Sequence, residues 1–124
     1  MEIIILGWYV LVETQSVLML SVFGAMQYLG TAQGPSDSLA GGISNADWHG
    51  VGGGEAGWVV SDPSDPNIVY AGEYLGYLSR YDNRTNEARN VSPWPENPSG
   101  WGGVQMRYRF QWTAPIAISM SRTA

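Results

Sequence analysis

Trp58-Val59-Val60-Ser61, then Asp62-Pro63-Ser64-Asp65-Pro66-Asn67, then Ile68-Val69-Tyr70-Ala71-Gly72: the architecture is most legible in this stretch. Two short runs of β-branched and aromatic residues flank six residues with two prolines and three Asx side chains. Proline presets φ and Asx side chains bond their own backbone, so the six predict a tight turn between two strands. Glu73-Tyr74-Leu75-Gly76 supplies the next corner, and Tyr77-Leu78-Ser79-Arg80-Tyr81-Asp82 reads as a third strand ending at Asn83-Arg84-Thr85-Asn86. Three antiparallel strands in so few residues make a meander.

Beyond the meander, Ser92-Pro93-Trp94-Pro95-Glu96-Asn97-Pro98 carries three prolines, which preclude both helix and central strand and predict a long ordered loop, or a linker, through Gly103. Met106, Tyr108, Phe110 and Trp112 then alternate with Arg107, Arg109 and Gln111. That period of two predicts a strand with Tyr108, Phe110 and Trp112 in the core. Pro115 ends it, and Ile116-Ala117-Ile118-Ser119 predicts the start of another strand. On the N-terminal side, residues 30–44 thin to small and polar types and read as a surface loop.

Residues 3–12 and 17–26 are two apolar runs split by Glu13-Thr14-Gln15-Ser16. No basic residue precedes them, so no signal peptide is recognisable. A spanning helix would carry the carboxylate near mid-membrane, which disfavours a membrane segment. Two buried strands joined by a polar turn fit better.

The chain has 124 residues, room for one small domain. Gly 16, Pro 7, Trp 6 and Tyr 7 suit a β-rich chain with tight corners. No Lys or Arg precedes Arg80, so residues 1–79 carry −8 and the remainder +3. Such a surface repels phosphate backbones, and nucleic acid is not an expected partner. Cys 0 removes disulfides and cysteine-based zinc sites. The sequence implies no cofactor.

The order Val59 to Asp82, with its Asp-Pro-Ser-Asp-Pro-Asn turn and Ile-Val-Tyr-Ala-Gly strand, resembles one blade of sortilin-type and bacterial-neuraminidase-repeat (BNR) β-propellers. Gly41-Gly42-Ile43-Ser44-Asn45-Ala46-Asp47-Trp48-His49-Gly50, continuing through Gly54-Glu55, together with Ser92-Pro93-Trp94-Pro95, is similar to the bacterial subgroup labelled BNR-repeat glycosyl hydrolase. The resemblance implies an all-β antiparallel meander, about one propeller blade plus parts of adjacent blades. Residues 23–124 would be the partial propeller, best matched over 58–91, and residues 1–22 an apolar segment outside the pattern. It also implies an extracytoplasmic parent, secreted or periplasmic, whose neighbouring blades cover this one; without them the isolated chain is expected to self-associate. The Asp box is only faintly echoed at residues 79–85, with no closing Trp, so nothing points to sialidase activity.

Several residues are candidates for chemistry. Glycoside hydrolysis needs two carboxyls about 5 to 9.5 Å apart, and Asp47 with Glu55 is the pair within one loop. Asp47, His49 and Glu55 lack a metal-ligand spacing, so no metal is assigned. The Gly50-Val51-Gly52-Gly53-Gly54 run lacks the lysine of a phosphate loop, since the chain contains none. Trp48, Trp94 and Trp101, with His49, lie in Gly/Pro-rich loops and are the expected ligand-binding residues for a polysaccharide or peptide, if both loops meet at one end of the meander. The readings are a binding scaffold, part of a propeller glycoside hydrolase acting on xyloglucan-like β-glucan, or a sortilin-like interaction module.

Overall fold

The computed structural model describes residues 21–26, 30–38, 41–55, 57–94 and 96–119. The chain is all-β, with two antiparallel sheets in succession. β1 (Ser21–Met26), β2 (Gly30–Pro35) and β3 (His49–Gly50) form a three-stranded sheet. β4 (Val59–Ser61), β5 (Ile68–Gly72), β6 (Leu78–Asp82) and β7 (Glu87–Asn90) form a four-stranded meander in chain order.

The meander follows from its turns. Asp62 Oδ1 accepts from the Ser64 amide at 2.9 Å, and Asp65 Oδ1 accepts from the Asn67 amide at 3.1 Å. The loop closes with Ile68 N–H donating to the Asp65 carbonyl at 3.0 Å. These bonds set Val60 opposite Tyr70 and Val69 opposite Tyr81. Because side chains alternate across a strand, that register sends Val59, Val69, Ala71 and Tyr81 to one face.

That face meets the first sheet. Val51 and Val69 are fully buried, Tyr81 is nearly so, and Phe23 and Val59 pack against them. Burying one such aliphatic side chain stabilises by about 1.5–3 kcal/mol. Polar ties hold the two sheets in register: Asn83 Nδ2 donates to Gln33 Oε1 at 3.1 Å, and Gly53 N–H donates to Ser79 Oγ at 2.6 Å. Thr31 Oγ1 donates to the Gly52 carbonyl. The Gly-rich run is thus the filling between the sheets, and Gly53 shows why a side chain is excluded. Its φ is +68°, and a Cβ there would stand 3.0 Å from the Ala71 Cβ.

Four expectations are corrected. Residues 30–35 are a strand, not part of a surface loop, because inward-facing Thr31 donates to the Gly52 carbonyl and Gln33 accepts from Asn83, just past the end of β6, while small neighbours let the strand lie close. Glu87–Asn90 adds a fourth strand whose exposed polar residues give no apolar alternation to read. Residues 106–112 form no strand, and Tyr108, Phe110 and Trp112 are 50%, 37% and 52% exposed rather than core. Among the described residues no strand pairs with 116–119 either. Alternation alone does not make a strand when no partner edge offers hydrogen bonds to it. Of the two expected N-terminal strands, the first lies outside the described residues, and β1 overlaps the second. Among the described residues no helix is long and apolar enough to cross a membrane.

Candidate functional site

The loop before the meander runs the length of β6, and its residues fall at opposite ends. At the far end Ser44 opens a single 3-10 turn, Asn45–Asp47, by a capping box. Asp47 Oδ2 accepts from the Ser44 amide at 2.7 Å and from its hydroxyl at 2.9 Å. The backbone bond first, then the hydroxyl, hold the Asp47 carboxyl below its ordinary range. Trp48 lays its ring over β2, where a Cβ at Gly34 would stand 2.7 Å from it. His49 Nε2 lies 2.9 Å from Asn83 Oδ1, just past the end of β6. Its ring centroid is 6.4 Å from that of Tyr81. These groups brace the sheets.

Glu55 belongs to the other end. There Glu73, straight after β5, is half-buried, and its carboxyl is pushed above its ordinary range by burial first and by the Glu55 charge second. The structure therefore sets Glu55 beside Glu73, and Asp47 away from both by the length of a five-residue strand, roughly 15 Å at about 3.3 Å per residue. A groove of about 220 Å³ runs from Gly53 past Glu73 and Tyr77 to Arg89. Burial, then Tyr74 and Glu73, raise the Tyr77 phenol. Its hydroxyl is buried with no hydrogen-bond partner among the described residues.

The same end carries the aromatic residues. The corner turn Tyr74–Gly76 places Tyr74 edge-on to Tyr77 at 6.1 Å and stacks it on Trp112 at 5.2 Å with 18° between planes. Trp94 meets Tyr108 edge-on at 5.5 Å, and the Arg107 guanidinium lies 4.5 Å from the Trp94 ring centroid. A small cavity of about 20 Å³ is lined by Tyr77, Trp94, Trp101, Tyr108 and Phe110 among others. That space is about one water molecule, so the rings form a platform rather than a deep pocket. Trp101 is 41% exposed beside it. Trp94 Nε1 is buried without a partner among the described residues.

Trp94 and Trp101 therefore come together, while Trp48 and His49 sit at the opposite end of β6 and do not join them. Sequence reasoning missed Glu73, Tyr74, Arg107, Tyr108 and Trp112 as members of this corner. The signal for the last three was present, but it was read as the alternation of a buried strand. Glu73 carried no signal beyond standing directly after an apolar strand. Among the described residues no three His, Cys, Asp or Glu side chains gather into a metal-sized group.

Fold and corner together define an all-β chain of two stacked antiparallel sheets with an aromatic platform at one end. Compared with family models, with curated proteins and with solved structures, the chain matches none.

Proposed function

We propose that the chain is a stretch of an extracytoplasmic β-propeller of the BNR/sortilin type that works as a carbohydrate-binding scaffold. The observation that carries this is the stacking of two consecutive antiparallel sheets whose outer faces each leave large apolar side chains exposed. Val22 and Trp48 lie on the outer side of the first sheet, 44% and 39% exposed, and Trp58 lies on that of the second, 51% exposed. Successive meanders packed face to face, with both outer faces left for further sheets, is the arrangement of adjoining propeller blades.

The ligand end is the corner with Trp94 and Trp101. A peptide anchor needs a pocket that swallows a side chain, whereas a sugar ring needs a flat aromatic face. A cavity of about 20 Å³ beside exposed rings favours the sugar. The hydrolase reading, with Asp47 or Glu55 as one carboxylate, now has one favourable observation: Glu73, held toward its protonated form, stands beside Glu55. Glycoside hydrolysis uses two neighbouring carboxyls.

Tryptophan fluorescence titration with β-glucan oligosaccharides, such as cellohexaose and xyloglucan fragments, tests the scaffold reading. Trp101→Ala is expected to weaken binding about 10-fold, as for loss of one stacking face, with Trp48→Ala unchanged. Weakening by Trp48→Ala alone would move the ligand to the other end, and tighter binding of a peptide pool than of any saccharide would replace the ligand class.

A further inference from the structure

The aromatic corner holds a cation for which the described residues supply no acceptor. Arg107 is exposed, with its guanidinium carbon 4.5 Å from the Trp94 ring centroid and 5.8 Å from that of Tyr108. It makes no hydrogen bond or ion pair with any described residue. Other arginines differ: Arg84 is forked onto Asp82 at 2.9 and 2.8 Å, and Arg109 donates to the Gly103 carbonyl at 3.0 Å. Aromatic contacts fix a guanidinium in place without consuming its five N–H donors. A planar fork held that way is pre-organised for a carboxylate.

The surroundings suit an anion that is also a sugar. Residues 106–112 contribute Arg107 and Arg109 and no acid, within the stretch 80–124 that carries +3; Glu96 lines the same small cavity but makes no ion pair with Arg107. Trp101 and Tyr108, which line the same small cavity as Arg107, are 41% and 50% exposed. We propose that this corner is a binding site for a carboxylated saccharide, a hexuronate-bearing chain whose ring lies on the exposed aromatics while its carboxylate takes the Arg107 fork. The inference rests on the carbohydrate reading above and adds to it the ligand's charge and the residue that selects it.

The test uses the full chain and measures binding calorimetrically and by tryptophan fluorescence. The probes are hexagalacturonate, its methyl ester, cellohexaose, a sulfated galactan hexamer and an acidic hexapeptide. Hexagalacturonate is expected to bind about 10-fold more tightly than its methyl ester, as for one charge-assisted bidentate contact. Arg107→Gln removes that preference while leaving ester binding and the circular dichroism spectrum unchanged, and Arg107→Lys restores part of it. Equal affinity for acid and ester in the unmodified chain overturns the inference whether or not the variants fold, and so does a preference that survives Arg107→Gln. Tighter binding of the sulfated hexamer or of the acidic peptide overturns the carboxylated-sugar assignment. If acid, ester and cellohexaose bind alike, the carbohydrate reading stands and only the charge selection falls. If no saccharide binds, both fall.

Discussion

Glu73 is a residue whose cost and whose use come from the same place. Burial against the glycine-rich filling and the nearby Glu55 charge raise its carboxyl pKa, so the ionised form weakens the fold at neutral pH. The sign follows from linkage: a carboxyl bound more tightly to its proton in the folded state adds stability as pH falls through its folded value, and lacks that contribution above it. Glu73→Gln is therefore expected to raise the melting temperature at pH 7, with the gain shrinking in acid; an equal or lower melting temperature at pH 7 would remove the argument for a strained carboxyl. Gly53 tests the packing between the sheets. With φ at +68° and Ala71 and Thr31 within 3.1 Å of a Cβ position, Gly53→Ala is expected to cost about 1–3 kcal/mol in chemical denaturation.

Among the elements, the turn from Asp62 to Asn67 sets the register of the whole meander. Asp65 bonds the amide and side chain of Asn67, and its second oxygen faces Arg84 at 3.0 Å, which joins this turn to the one after β6. Asp65→Ala combined with Asn67→Ala should destabilise the chain by about 1–2 kcal/mol, the usual range for lost turn bonds. An unchanged melting profile would show that strand pairing alone fixes the register. Arg84 also predicts an acid limit. It holds Asp82 down to about 2 from an ordinary 3.8, mainly through the side-chain bonds between them. A depressed carboxyl supports the fold above its unfolded pKa and loses that support between about pH 4 and pH 2. The stability difference between the parent and Asp82→Asn, present at pH 6, should vanish by pH 2.

At the scale of the molecule, two sheets bury one face each and leave the others partly apolar. The outer side of the first sheet presents Val22 and Trp48, and that of the second presents Trp58. Ile116 covers only the end of the second, its Cδ1 lying 3.3 Å from the Cβ position of Gly72. Apolar faces of this kind associate in water. Sedimentation velocity should therefore show concentration-dependent self-association, reduced by Val22→Lys with Trp58→Lys. A strictly monomeric parent with a cooperative melt would mean the outer faces need no cover.

What residues 58–82 determined by themselves was local: proline and Asx chemistry makes the turn, β-branched runs make the strands, and hydrogen bonding at i to i+2 needs nothing distant. That sufficed for an all-β meander. Three features depended on partners remote in the chain. Residues 30–35 become a strand only because β1 and β3 pair with it, because Thr31 bonds the glycine-rich run and because Gln33 accepts from Asn83. Residues 106–112 alternate like a strand yet form none, since no edge receives them, and their rings gather instead on the Tyr74 corner and on Trp94. The candidate site divided for the same reason. Asp47 and Glu55 are eight positions apart in the chain, but the loop between them spans β6, and Glu55 finds its neighbour in Glu73, brought there by the end of a buried strand. Chemistry between near neighbours is written in composition and order; which distant groups meet is set by which faces exclude water together.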